Sequence, residues 1–255
     1  MKLKNVFLMM LLFAVLQSNL NYTSAHNVEL YQQDNKQDVL SYIRNYGENP
    51  KDYIINKLKN HYVVMIGEDH WIKDHMIFMS EMITFIGNDK DIHVDAFAIE
   101  FGNSSNQDLA DEFIKSPVYR EDLVIKILQN APDLYGWPYL EAVGIFKSIW
   151  ESNNRNPQQN KTRILLLDPP YVIPYLDKEE YDYTVSRDMS QANIIQRYIR
   201  QGKRVLFYGG SAHTSSRVHG DYNNETGVYS NYHSAGFILK TLYPSLVFSI
   251  ELWGG

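Results

Sequence analysis

Five short apolar segments, separated by longer stretches with helical spacing, dominate the sequence. Continuous apolar runs of this length that end at glycine or polar residues are typical of strands buried on both faces of a parallel sheet. Because strands and helices alternate, the order predicts βαβ units and an α/β fold with a mainly parallel sheet flanked by helices. The predicted strands are Tyr62–Ile66, Val94–Ile99, Arg163–Leu167, Arg204–Tyr208 and Leu246–Ile250.

Apolar residues three and four positions apart predict the helices between these strands. Glycine, proline and asparagine mark the ends of several of these helices. The three helices predicted between residues 107 and 152 are expected to form a helical cap inserted over the sheet. The full set is Asp38–Tyr46, Lys51–Leu58, Ile72–Ile86, Gln107–Lys115, Arg120–Gln129, Tyr139–Ser152, Ser186–Arg200 and Ser234–Leu242.

The N-terminus has the order of a signal peptide. Two lysines precede the uncharged run Val6–Leu16, and a polar stretch that ends in the small residues Thr23–Ala25 follows it, which predicts a signal peptide over residues 1–25. The run is shorter than the roughly 20 residues that span a bilayer. We therefore expect an exported protein, periplasmic or extracellular, without a stable membrane anchor, and an uncleaved anchor is the alternative. Residues 26–37 are predicted to be a lead-in to a single domain over residues 38–255.

The composition limits which bonds can stabilise the chain and which partners it can bind. The chain has no cysteine, so even an exported form must take its stability from its core rather than from disulfides. Its net charge of −6 argues against a nucleic-acid partner, because phosphate binding needs clustered lysine and arginine. The expected partner is a small-molecule or peptide substrate, and a homodimer is left open.

Polar residues follow four of the predicted strands. Glu68 and His70 follow the first strand, Glu100 the second, Asp168 the third and His213 the fourth. In open parallel sheets, ligands bind beyond the carboxyl ends of the strands, which lie at one edge. We therefore expect these side chains to meet in one cleft.

Two Gly-x-x-His segments belong to this set. Gly67 and Gly210 each stand three residues before a histidine and are expected to allow a sharp turn and a close approach of the backbone. Imidazoles and carboxylates in one cleft can bind a divalent metal ion, here with His70, Glu100 and His213 as ligands. They can equally act as base and acid without a metal.

With these turns, the sequence resembles the ChaN, TIKI and TraB superfamily and, more distantly, the erythromycin esterases. The similarity covers about residues 61–250, in the same order. Glu68 stands two residues before His70, as in the ChaN and TIKI pattern, whereas the esterase pattern places its glutamate three residues before the histidine. The matching stretches are Val63–His70 with His75, Ala98–Glu100, Arg187–Met189 and Val205–His213.

The resemblance implies two kinds of function. TIKI-like members are metal-dependent proteases and erythromycin esterases hydrolyse a lactone, whereas ChaN-like members are haem-binding proteins of iron uptake. In the family, the helix that here contains Arg187 supplies an arginine to the site. We therefore expect Arg187 to hold a substrate carboxylate or to balance the charge of Glu100.

The first hypothesis is an exported hydrolase of ester or amide bonds. In it, His70 is the general base or a metal ligand, and Glu68 and Glu100 orient it or share the metal. His213 is a second ligand or stabilises the developing oxyanion, and Arg187 completes the catalytic set.

The alternative hypothesis is a haem- or iron-binding protein without catalysis. Its cofactor-binding candidates are His75 and Asp168. Four aromatic residues either line a haem or substrate pocket or pack in the core, and packing is favoured because of their helical spacing. They are Trp137, Tyr139, Trp150 and Tyr171.

Overall fold

The computed structural model describes residues 37–131, 137, 139–155, 160–170, 183–217, 219–223 and 228–253. The predicted signal peptide, all but the last residue of the predicted lead-in, and Tyr171 lie outside these ranges. Within them, no helix is both long and apolar enough to cross a membrane. A first helix, α1 (residues 37–46), belongs to a unit that ends at Asn49, and a second compact unit begins at Pro50.

The second unit is built around a five-stranded sheet with the strand order β3-β2-β4-β1-β7, in which every neighbouring pair is parallel. This confirms the predicted α/β fold. A separate antiparallel hairpin, β5–β6, was not predicted, because its mainly polar residues lack the apolar run by which strands were recognised. The strands are β1 (Val63–Glu68), β2 (Ala96–Asn103), β3 (Arg163–Asp168), β4 (Val205–Gly210), β5 (His219–Asn223), β6 (Val228–Tyr232) and β7 (Val247–Glu251).

Helices cover both faces of the sheet. The helices from α2 to α6 contribute to a core cluster on one face, and α7 and α9 contribute to a second cluster on the other face. The helices expected to form an inserted cap, α4 to α6, bury their apolar residues in the first of these clusters. The helices are α2 (Pro50–Asn60), α3 (Lys73–Asn88), α4 (Gln107–Lys115), α5 (Glu121–Gln129), α6 (Glu141–Arg155), α7 (Tyr183–Ile199), α8 (Ser211–Thr214) and α9 (Ala235–Leu242).

Burial on both faces explains why the central strands are continuously apolar. In β1, Val64 and Ile66 pack in the first cluster, while Val63 and Met65 pack in the second. Successive side chains of a strand point to opposite faces, so neither face can be polar along its middle. The strands nevertheless extend into the polar residues expected to follow them, and Glu100 lies inside β2. The first polar residue after an apolar run therefore did not mark the end of the strand.

The glycine at the end of β1 is needed for close packing rather than for a sharp turn. In the described residues, the backbone takes a positive φ only at Trp71 and Gly202, so Gly67 does not use its conformational freedom. A Cβ atom at Gly67 would collide with the Thr214 hydroxyl and would lie 3.0 Å from the Cα atom of Ser211, both in α8. The absence of a side chain lets α8 lie directly against β1.

A glycine-to-alanine pair tests this packing. Gly67→Ala should lower the free energy of unfolding by about 1–3 kcal/mol, because α8 must move away from β1. Gly144→Ala in α6 is the control, since among the described residues its Cβ would meet only the Ser80 hydroxyl oxygen, at 3.5 Å. It should leave stability unchanged or raise it by up to about 1 kcal/mol. Urea denaturation measures both, and equal stabilities of the two variants would contradict the account.

Candidate functional site

Three carboxylates are buried at the carboxyl edge of the sheet, where β3, β2, β4 and β1 lie side by side. The side chains of Glu68, Glu100 and Asp168 are each at most 1% exposed. Gly210 stands opposite Glu68 in the β1–β4 register and leads into α8, which carries His213. Because an isolated charge in the protein interior is strongly unfavourable, each carboxylate needs a partner.

Arg187, from α7, joins two of these carboxylates. Its Nε and Nη2 atoms donate to the two oxygens of Asp168, each at 2.8 Å, and Nη2 also donates to Glu100 Oε1 at 2.8 Å. Gln191, one helical turn later, donates to Asp168 Oδ1 at 2.9 Å. Burial raises the pKa of Asp168 to about 6, although the Arg187 guanidinium opposes this shift. The guanidinium thus connects β2 and β3 to α7 and lies against Glu100, whose charge it was expected to balance.

His213 lies between two carboxylates. Its Nδ1 atom is 2.9 Å from Asp188 Oδ2, and its Nε2 atom is 3.1 Å from Glu100 Oε1. Burial alone would lower the pKa of His213, but the charge of Glu100 and the hydrogen bond to Asp188 outweigh it and raise the pKa. Asp188 also accepts the backbone N–H of Ala235 at 2.6 Å, so it is fixed from a second helix.

His70 pairs with Glu68. Its Nδ1 atom is 2.6 Å from Glu68 Oε1, and its side chain is 40% exposed while that of Glu68 is fully buried. The hydrogen bond to Glu68 raises the pKa of His70, and burial raises the pKa of Glu68. The next residue, Trp71, has φ 72°, a strained conformation for this residue type that is enriched at functional sites.

Gly210 brings the His70 pair and the Arg187 network together. A Cβ atom on Gly210 would lie 2.8 Å from His70 Cε1 and 3.4 Å from Glu100 Oε2, so both groups contact this residue. The backbone N–H of Gly210 donates to Glu100 Oε2 at 2.5 Å. The imidazole of His70 and the carboxylate of Glu100 therefore share one site. His213 belongs to the same site through its contact with Glu100.

The cofactor-binding candidates lie in less accessible positions. Asp168 has both oxygens bonded to Arg187, and His75 is 7% exposed, with its Nδ1 atom 3.3 Å from the backbone N–H of Asp69. Burial lowers the pKa of His75, which keeps it a neutral acceptor that supports the turn after β1. Neither side chain is open to a large planar cofactor.

Among the candidate aromatic residues, Trp137 lies at the site, where its ring is 4.6 Å from that of His70. The other two that the structure describes donate hydrogen bonds to backbone oxygens of other segments. The Tyr139 hydroxyl donates to the backbone oxygen of Trp71 at 2.8 Å, and the Trp150 Nε1 atom donates to the backbone oxygen of Ser116 at 3.0 Å.

The three predicted metal ligands are not arranged as a metal site. Within the described residues, no group of three or more histidine, aspartate and glutamate side chains has the spacing to hold a metal ion. The physical reason is that a guanidinium already serves as the central cation. Glu100 uses Oε1 for Arg187 and His213 and Oε2 for the Gly210 amide, and His213 uses Nδ1 for Asp188. The residues present therefore do not fit a divalent ion held by these groups.

Asp188 had no role among the residues predicted from the sequence. Met189 is 45% exposed, whereas Asp188 is fully buried in line with Ala192 and Ile195. Asp188 stands four residues before Ala192 and seven before Ile195, and this helical spacing places its carboxylate on the apolar stripe of α7. The burial of Asp188 could therefore have been predicted from the sequence. A buried charge at such a position indicates a specific partner, here His213.

Comparisons with known proteins show a fold that this chain shares with a solved structure of low sequence identity. No protein-family model matches the chain, and no curated protein matches its sequence at a significant level. A solved structure of ChaN from Campylobacter jejuni, described as showing cofacial heme binding, has a TM-score of 0.50 and 16% identity over 82% of this chain and 87% of that chain. At this identity the similarity supports the ChaN-like resemblance at the level of the fold alone.

Two effector proteins are also similar. The type III effector HopBA1 has a TM-score of 0.43 and 15% identity over 80% of this chain and 94% of that chain. RRSP, a MARTX toxin effector domain from Vibrio vulnificus, has a TM-score of 0.46 and 14% identity over 83% of this chain and 44% of that chain. The identities of both are too low to carry a function over to this chain.

The Asp188–His213 pair can be tested by Asp188→Asn, which removes the charge but keeps a side-chain oxygen. The pKa of His213 should fall, as followed by an NMR pH titration. A histidine whose pKa is raised on folding stabilises the native state below its unfolded value near 6.5, and this contribution is lost as pH rises through the folded pKa. The variant should therefore be destabilised by about 1–3 kcal/mol below pH 6.5, and less at alkaline pH.

Asp122→Asn is the matched control. Asp122 forms an exposed ion pair with Arg120 at 2.7 Å, and exposed pairs add little to stability. This variant should change neither the pKa of His213 nor the pH dependence of unfolding. An Asp188→Asn protein in which His213 titrates as in the wild type would disprove the pairing.

Proposed function

We propose that this cleft is the active site of a hydrolase that cleaves ester or amide bonds, with His70 as general base. The observation that carries the proposal is the His70–Glu68 pair, in which a 2.6 Å hydrogen bond to a buried carboxylate fixes Nδ1 while the ring is 40% exposed. Within the described residues, Nε2 of His70 has no hydrogen-bond partner. A base oriented at one nitrogen and open at the other is the arrangement that proton transfer requires.

The reaction follows from these positions. His70 Nε2 takes a proton from water as the water oxygen attacks the carbonyl carbon of the substrate. His70 then gives this proton to the leaving oxygen or nitrogen as its bond to carbon breaks. Arg187 and His213, whose Nη1 and Nε2 atoms lie 3.4 Å apart, stay bound to the buried carboxylates and fix the surroundings of His70 during this reaction.

We also propose that the protein acts after export, in the periplasm or outside the cell, on a small-molecule or peptide substrate. The support for export is the predicted signal peptide over residues 1–25. The support for the substrate class is the net negative charge, which disfavours nucleic acids.

A second candidate function is haem binding, which the same histidine supports. A histidine that ligates iron commonly has its other ring nitrogen bonded to a carboxylate, as Nδ1 of His70 is to Glu68. The ring of Trp137 lies beside it. The fold shared with a heme-binding ChaN favours this candidate more directly than it favours hydrolysis. His70 Nε2 would hold the iron, and haem would supply its redox or transport chemistry.

Variants of His70 and Glu68 test the hydrolase. With p-nitrophenyl acetate and a peptide p-nitroanilide as probes, His70→Ala should lower kcat/KM by about 10²–10⁴-fold. The activity of the wild type should rise with pH through the raised pKa of His70, because only the neutral imidazole accepts a proton. Glu68→Gln should move this rise to lower pH and reduce the maximum rate.

His61→Ala is the control, because His61 lies before β1, at the opposite edge of the sheet, and should keep full activity. A His70→Ala protein with wild-type turnover of a hydrolysed probe would overturn the hydrolase proposal. Haem titration of the wild type, His70→Ala and His61→Ala tests the second candidate. A Soret band in the wild type and in His61→Ala, lost in His70→Ala, is expected if His70 holds the iron, and an unaltered band in His70→Ala would exclude it.

A further inference from the structure

Three buried polar atoms around His70 have no hydrogen-bond partner within the described part of the chain. They are Glu68 Oε2, the Tyr208 hydroxyl and Trp137 Nε1. On folding, each of these atoms gave up its hydrogen bonds to water without gaining any from the residues that the structure describes. Native proteins leave few such atoms, and a group of them at a candidate active site points to a ligand that completes their bonding.

The residues that carry these atoms are neighbours. Tyr208 stands opposite Ile66 in the β1–β4 register, and Glu68 lies two residues farther along β1 on the same face. The ring of Trp137 is 5.0 Å from that of Phe101, whose ring is in turn 6.3 Å from that of Tyr208. The three residues that carry these atoms thus belong to one region, and the His70 ring lies beside Trp137 in it.

The charge and hydrogen-bonding capacity of these atoms define what would fit. An indole N–H only donates, an ionised carboxylate only accepts, and a phenol hydroxyl does both. Burial, together with the charges of Glu68 and Glu100, raises the pKa of Tyr208, so its hydroxyl stays neutral. An anion would be repelled by the two carboxylates, and a cation would be opposed by the Trp137 N–H.

We propose that Glu68, Tyr208 and Trp137 form a subsite for an uncharged group that both donates and accepts hydrogen bonds, such as a carboxamide or a hydroxyl. This deepens the proposed function and rests on it, because the subsite would hold the polar part of the substrate next to His70. Tyr208 and Trp137 are then ligand-binding residues, and Glu68 serves both His70 and the ligand through its two oxygens.

The first test separates a ligand-binding hydroxyl from a structural one. Tyr208→Phe removes a buried hydroxyl that has no partner among the described residues, so the melting temperature should rise, by about 2–4 °C, while kcat/KM for the peptide p-nitroanilide, whose amides both donate and accept, falls about tenfold. Tyr119→Phe is the control, since the buried Tyr119 hydroxyl also has no partner among the described residues, but its ring packs against Phe113 and Trp150. It should raise the melting temperature without changing activity. A Tyr208→Phe protein that melts lower than the wild type would overturn the proposal.

The second test detects the ligand class without any turnover. The chain has four tryptophans, and Trp137→Phe identifies the indole N–H signal of Trp137 in an NMR spectrum. Acetamide should shift this signal in the wild type, acetate should not, and Tyr208→Phe should weaken the acetamide effect about tenfold. An equal response to acetate, or no response to acetamide, would overturn the subsite. An acetamide shift in a protein that hydrolyses neither probe would leave the subsite standing and remove the hydrolase.

Discussion

The buried guanidinium of Arg187 is the interaction on which the carboxyl edge of the sheet depends. It binds Asp168 through two nitrogens and Glu100 through one of the same nitrogens, at 2.8 Å in each case. Without it, Asp168 and Glu100 would each lose a charged partner in the core, which is strongly unfavourable. The planar fork of arginine suits this task because it can serve two carboxylates in fixed directions, which a lysine ammonium cannot do.

This neutralisation leaves one ionisable ring in a position to act. Arg187 satisfies the carboxylates of Asp168 and Glu100, and His213 is held between Glu100 and Asp188, so these groups are committed to one another. His70 alone in this set combines a buried carboxylate partner with an exposed ring. The network therefore fixes the surroundings of His70, and both proposed functions use this one nitrogen in different ways.

The sequence predicted the sheet and the meeting of Glu68, Glu100 and the two histidines, because apolar runs in parallel strands place their carboxyl ends at one edge. It did not predict the polar β5–β6 hairpin, whose residues lack an apolar pattern. It also could not show that Arg187 occupies the centre of the site, since the choice between a metal ion and a guanidinium depends on distances between separate elements. The burial of Asp188 could have been predicted, because helical spacing places it among the buried residues of α7.

The most direct measurement is the urea denaturation of Arg187→Met alone and in combination with Glu100→Gln and Asp168→Asn. If the guanidinium compensates these two buried carboxylates, the single variant loses about 3–5 kcal/mol of stability, and the triple variant recovers most of that loss. A single variant as stable as the wild type, or a triple variant in which the three losses simply add, would contradict the account.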